Sequence, residues 1–208
     1  MQKLATKVLE LKNSPVGQQV ASRLREFREI HSKGNPEWFV ELCFCLLTAN
    51  TSAEMGLKMQ NALSYQDFAE LPQKELMKKM NTLHCRFFNR RAEFICLARE
   101  HKNICDKVKS FAGEHEAREW LSQNIKGIGM KEASHFLRNV GFENCAILDK
   151  HVLNLLAEHG IIKRPKIISV KKYLEIEQKL QELCSRTGTT QGELDFYLWF
   201  QKTGKVLK

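Results

Sequence analysis

The chain has 208 residues, of which 43% are apolar and 27% charged, a globular balance that excludes a disordered or fibrous protein. Lys and Arg outnumber Asp and Glu by 33 to 24, a net charge of +9, which favours an anionic polymer such as nucleic acid as the partner. No apolar run reaches the roughly 18 residues of a membrane span: Glu41 interrupts the longest, Trp38 to Ala49, and the N-terminal stretch has no signal-like apolar core.

Helical periodicity dominates the chain, with no sustained period-two alternation and no Asn-Gly or Asp-Gly hairpin turn. The spacing predicts helices over 3–12, 16–31, 36–49, 53–63, 73–82, 90–110, 115–124, 131–140, 150–158, 170–186 and 191–202, an all-α fold. Ser14-Pro15, Asn35-Pro36 and Leu71-Pro72 each read as a cap followed by proline at the first helical position. Connections are short, and no linker marks a domain boundary. Seven cysteines lie mostly in apolar helical stretches, without a C-x-x-C pair or a close quartet. Reduced thiols are expected, with no zinc site, redox pair or iron–sulfur cluster.

Between the helices predicted over 115–124 and 131–140 lies Lys126-Gly127-Ile128-Gly129-Met130. Glycine admits positive φ and close backbone approach, so Gly127 and Gly129 permit a very tight turn with Ile128 pointing inward. The amides near Gly129 then open the second helix, where aligned N–H groups and the positive helix end suit a phosphate. Such a contact positions DNA without reading bases. A plain helical turn is the competing reading. Eighteen residues after Lys131 comes Asp149, at the cap position of an amphipathic helix.

Taken jointly, "GIGMK" and "LDKHV" resemble the helix–hairpin–helix DNA glycosylase superfamily, in which Gly-x-Gly-x-Lys is followed by an aspartate at this distance. "CLLTANTSAEMGLKM", Cys45 to Met59, is similar to a helix–turn of that superfamily, and "RFFNRRAEFI", Arg86 to Ile95, to another of its turns. Cys184 is the only cysteine beyond residue 145, so the iron–sulfur branch is disfavoured, and the chain is too short for an added N-terminal β domain. With Lys131, Asp149 and the ending "DFYLWFQKTGKVLK", the sequence looks most like a type 2 8-oxoguanine DNA glycosylase/AP lyase. The resemblance implies two helical subdomains with the active-site cleft between them: residues 36–148, containing the hairpin at about 115–140, and residues 1–35 plus 149–208.

By that resemblance Lys131 is the nucleophile, attacking C1′ of a flipped nucleotide to form a Schiff base, and β-elimination then nicks the strand 3′ to the lesion. Asp149 stabilises the positive charge developing on the sugar. Burial, the helix end and Lys126 would favour the neutral amine, whereas a bound phosphate would oppose it. Gly127, Gly129 and Lys126 hold DNA phosphate. Asn50, Phe87 and Phe88 are duplex-wedge candidates, and the two phenylalanines are equally plausible as core contacts. Trp199 is a base-stacking or a core tryptophan. Lys208 reads the base through a backbone acceptor facing the N7–H that 8-oxoguanine has and guanine lacks, or else is a frayed basic tail. His84, His135 and His151 lie near this site in sequence, and none is assigned a role. No metal or organic cofactor is implied, although hairpin carbonyls could hold a monovalent cation. The expected partner is double-stranded DNA containing 8-oxoguanine, met by a monomer in the cytoplasm, at the nucleoid in a prokaryote, with no membrane attachment. The alternatives are a glycosylase for oxidised pyrimidines or mismatched adenine, a non-catalytic DNA-binding module, and a helical protein adaptor.

Overall fold

The computed structural model describes residues 1–48 and 53–208, so Asn50 lies outside the described residues. Among the described residues there are helices and no strands. In chain order they are α1 (Gln2–Lys12), α2 (Pro15–His31), α3 (Asn35–Thr48), α4 (Ala53–Ala62), α5 (Tyr65–Glu70), α6 (Gln73–Thr82), α7 (Phe88–Ala98), α8 (Ile104–Lys109), α9 (Glu114–Asn124), α10 (Met130–Asn139), α11 (Lys150–Glu158), α12 (Val170–Thr187) and α13 (Gln191–Thr203). None of them is long and apolar enough to cross a membrane.

Helix α3 is apolar around its whole circumference, the pattern of a helix enclosed on all sides. It sits at the centre of a first core, packed by α4, α5, α7, α8 and α10. Its one buried charge, Glu41, accepts hydrogen bonds from Gln60 Nε2 (2.9 Å), Asn139 Nδ2 (3.1 Å) and Lys208 Nζ. A second core joins α1 and α2 to α11, α12 and α13 through Leu4, Val20, Phe27, Leu156, Ile176 and Leu198. Two buried ion pairs span the cores. Arg118 of α9 meets Glu177 of α12, with Nη2 2.8 Å from Oε2, and Arg138 of α10 meets Asp195 of α13. All seven cysteines are free thiols, and all but Cys96 are buried.

Four local expectations need correction. The helix predicted over 90–110 is broken: α7 ends at Ala98, a 3-10 turn covers Arg99–His101, and α8 follows. Arg99 turns away to donate to Phe68 O (2.8 Å) and Leu71 O (2.7 Å). Asn35 does not cap its own helix. Its Oδ1 accepts from Cys105 N (2.8 Å) and Asp106 N (3.3 Å), so it caps α8 from across the core. Pro72 is the cap residue of α6 and not its first helical position. Helix α5 was missed, although Ser64 and Asp67 form a reciprocal capping box that starts it.

Candidate active site

The turn between α9 and α10 is closed by Ile128 N donating to Ile125 O at 3.1 Å, and Ile128 is buried in the first core. The two glycines do different work. Gly127 has φ +91°, and a Cβ there would stand 2.5 Å from the Phe94 ring and 3.1 Å from Leu46. Gly129 is extended and caps α10 without a side chain, which leaves the first amides of the helix without a side-chain acceptor. A helix end in this state offers N–H donors and positive potential to an anion, with Lys126 exposed beside it. Gly127→Ala should therefore lower stability by about 1–3 kcal/mol and weaken binding to plain duplex DNA. Gly129→Ala, whose Cβ would meet only Glu132 Oε2 at 3.4 Å, should cost about 0.5 kcal/mol or less. Thermal melting and duplex titration of both variants check the contrast, and equal losses would refute it.

A cavity of about 1050 Å³ opens between the two cores beside this hairpin. Lys131, His135 and Arg138 face it from α10 at i, i+4 and i+7, one side of a helix. Asp195, Trp199 and Thr203 face it from α13 at the same kind of spacing, and Ile147–His151 and Lys208 form further parts of the wall. Lys131 Nζ rests 3.3 Å from Glu132 Oε1 at the cavity edge, its side chain about a quarter exposed (26%).

Asp149 is the N-cap of α11, as its position suggests. Both cap bonds, from His151 N and Val152 N at 2.8 Å, go to Oδ1, so Oδ2 stands outside the cap. The segment that delivers Asp149 is fixed by α12. Tyr173 Oη donates to Ala146 O (2.6 Å) and accepts from Leu148 N (3.3 Å), while Glu177 Oε1 accepts from Ala146 N (2.7 Å). Asp195 is a buried carboxyl whose pKa is pushed up to about 6, by burial first and by Asp149 second, against the pull of Arg138.

The other predicted residues divide. Trp199 is half-buried on the cavity wall, edge-on to His151 with ring centroids 6.3 Å apart. Lys208 is no frayed tail. Its side chain is 9% exposed, its ammonium donates to Glu41 Oε1 and to Gln60 Oε1 (2.9 Å), and it lies over the Phe44 ring at 4.9 Å. What Lys208 leaves toward the cavity is therefore its backbone. Phe87 is 57% exposed at φ +57°, whereas Phe88 packs against the first core. Sequence reasoning gave no role to His135, Arg138 or Asp195, yet all three share a helical face with a residue it did name.

A helical fold of this kind, with a Gly-x-Gly hairpin beside a cleft lined by lysine and aspartate, is that of the helix–hairpin–helix DNA glycosylases. A family model described as 8-oxoguanine DNA glycosylase matches residues 20–189. The chain is 50% identical over 206 residues to an 8-oxoguanine DNA glycosylase/AP lyase of Methanocaldococcus jannaschii, covering 99% of both chains. A protein of the same description from Korarchaeum cryptofilum is 48% identical over 207 residues, covering 99% of this chain and 98% of that one. Among solved structures, the Methanocaldococcus jannaschii 8-oxoguanine glycosylase/lyase in complex with a 15mer DNA containing 8-oxoguanine superposes with TM-score 0.96 at 49% identity, covering 99% of this chain and 100% of that one. The 8-oxoguanine DNA glycosylase of Thermotoga maritima superposes with TM-score 0.93 at 40% identity, covering 100% and 99%. The chain belongs to the 8-oxoguanine DNA glycosylase family.

Proposed function

We propose that this protein excises 8-oxoguanine from double-stranded DNA and then nicks the strand, acting as a combined glycosylase and AP lyase. The observation that carries the reading is that Lys131 and Asp149, from separate elements, line one cavity beside the hairpin amides. A non-catalytic DNA-binding module gives no reason for that placement. The names of the close relatives support the same activity.

In this scheme the hairpin at Gly127 and Gly129, with Lys126, holds a backbone phosphate. The damaged nucleotide flips into the cavity at a cost of a few kcal/mol of unstacking. Phe87, exposed on a left-handed turn, fills the gap, and Asn50 is assigned to the same task by its motif alone. The Lys131 amine attacks C1′, the C1′–N9 bond breaks, and the departing base takes up a proton. Asp149 stabilises the cationic sugar through the oxygen outside its cap. Loss of an amine proton opens the sugar ring to a Schiff base. A proton then leaves C2′ and the 3′ phosphate departs, which breaks the strand. Trp199 supplies a stacking face for the base. A backbone oxygen of Lys208 accepts from N7–H, its ammonium being committed to Glu41. The chain's own side chains and backbone groups are proposed to carry these steps, without an iron–sulfur cluster or organic cofactor, although a monovalent cation at the hairpin is compatible with them. The two subdomains are taken as 36–148 and 1–35 with 149–208, which follow the two cores except that Ala146 and Leu148 are buried in the second, and which close on the DNA from either side. The protein is proposed to act as a monomer in the cytoplasm, at the nucleoid of a prokaryote, away from membranes.

The test uses otherwise identical duplexes that carry 8-oxoguanine, an oxidised pyrimidine or a mismatched adenine, with borohydride present or absent. Nicking and covalent trapping are expected on the 8-oxoguanine duplex. Preference for either of the other two would assign a different lesion, and no trapping on any duplex would overturn the lyase reading.

A further inference from the structure

His135 stands apart from the other buried polar side chains. It is 8% exposed, and neither ring nitrogen has a hydrogen-bond partner. Arg118, Arg138, Gln191 and Gln201 also carry an unpaired buried atom, but each bonds through another nitrogen. Among the described residues His135 is the buried polar side chain with both ends idle. Such groups are rare because the folded state loses their hydrogen bonds to water without replacement, and a ligand that supplies the missing partner removes the deficit.

Its surroundings define what that ligand must be. His135 follows Lys131 by one helical turn and faces the same cavity. The Phe44 ring packs edge-on against it, centroids 5.7 Å apart, and fixes the imidazole plane. Burial and the positive charges of Arg138, Lys131 and Lys208 push its pKa well below the ordinary histidine value. The Lys208 backbone lies close enough to oppose this slightly, at a geometry that satisfies neither nitrogen. The imidazole is therefore neutral and offers one N–H donor and one acceptor. A neutral group adds no repulsion when positive charge grows on the sugar at Lys131.

We infer that His135 is a base-reading residue, donating its N–H to a carbonyl oxygen of the purine that enters the cavity. The inference rests on the 8-oxoguanine reading above. In 8-oxoguanine the N7–H donor lies between two carbonyl acceptors, O6 and O8. A histidine N–H set beside a backbone oxygen of Lys208 presents the complementary pair. His135 thus acts on the base and not on the sugar, which separates it from Lys131 and Asp149.

That separation supplies the test. His135→Leu keeps an apolar side chain of similar bulk against Phe44, and His135→Gln keeps a donor. Single-turnover excision of 8-oxoguanine should fall about 10- to 100-fold in the leucine variant. Nicking of a preformed abasic site, where no base remains to be read, should stay within about twofold. The glutamine variant should recover part of the excision rate. Equal loss of both activities in both variants would make His135 structural and overturn the inference, as would unchanged excision by the leucine variant. A wild-type protein that nicks abasic DNA but leaves 8-oxoguanine in place would instead remove the substrate reading, and this inference with it.

Discussion

Lys131→Gln should bind lesion-containing duplex with near wild-type affinity and yield no borohydride-trapped complex, with excision reduced by at least about 10³-fold. The amide is neutral and one atom shorter than the lysine chain, and it cannot form a Schiff base because its nitrogen lone pair is delocalised. Binding should survive if, as proposed above, the helix amides and Lys126 hold phosphate independently of the Lys131 amine. Glu132, which holds Lys131 Nζ at 3.3 Å, loses a partner at a partly exposed position that water still reaches, so stability should change little. Gel analysis of trapped complexes alongside a binding titration separates the two effects. Persistent trapping in this variant would reassign the nucleophile to another amine.

Arg118→Met should be the most destabilising single change considered. Arg118 is 1% exposed, and its guanidinium pairs with Glu177, whose carboxylate also accepts Ala146 N. Removing the arginine strands a buried negative charge, a loss of about 3–5 kcal/mol. In a chain of this length that lowers the melting temperature by roughly 10 °C. Glu177→Gln in the same chain removes the stranded charge while keeping an acceptor for Ala146, so the double variant should regain part of the loss. The two single variants and the double, melted side by side, give the coupling directly. If Arg118→Met melted within about 1 °C of wild type, the pair would be a bystander. Because Glu177 and Tyr173 set the segment that ends in Asp149, partial loss of excision in the folded fraction is also expected.

Much of this architecture can be read from the chain, and the exceptions have physical causes. Helical spacing points to the helices because it depends on local geometry, whereas the joint Gly127–Gly129–Lys131–Asp149 pattern points to the fold and to the wall of the cavity through its resemblance to the helix–hairpin–helix DNA glycosylases. The break before α8 could not be read locally, because its amides are capped by Asn35, about seventy residues earlier in the chain. The short α5 was legible in Ser64 and Asp67, but its six residues carry too little periodicity to stand out. His135 and Asp195 were within reach of a simple rule: each lies four residues from a named residue, Lys131 or Trp199, on one helical face. The split between Phe87 and Phe88 was not, because only the left-handed backbone at Phe87 decides which ring is turned outward.

The free cysteines have a bearing on where such a protein can work. Oxidised guanine arises where peroxide and related oxidants are present, and the same oxidants attack thiolates. Six of the seven thiols are buried. Burial pushes Cys43 and Cys45 far up, Cys145 up to about 12 and Cys184 up to about 11. At neutral pH these four hold almost no thiolate. The sulfur atoms that help fill both cores are thereby withheld from the chemistry that produces the lesion, and the fold keeps its packing in the conditions that create its substrate.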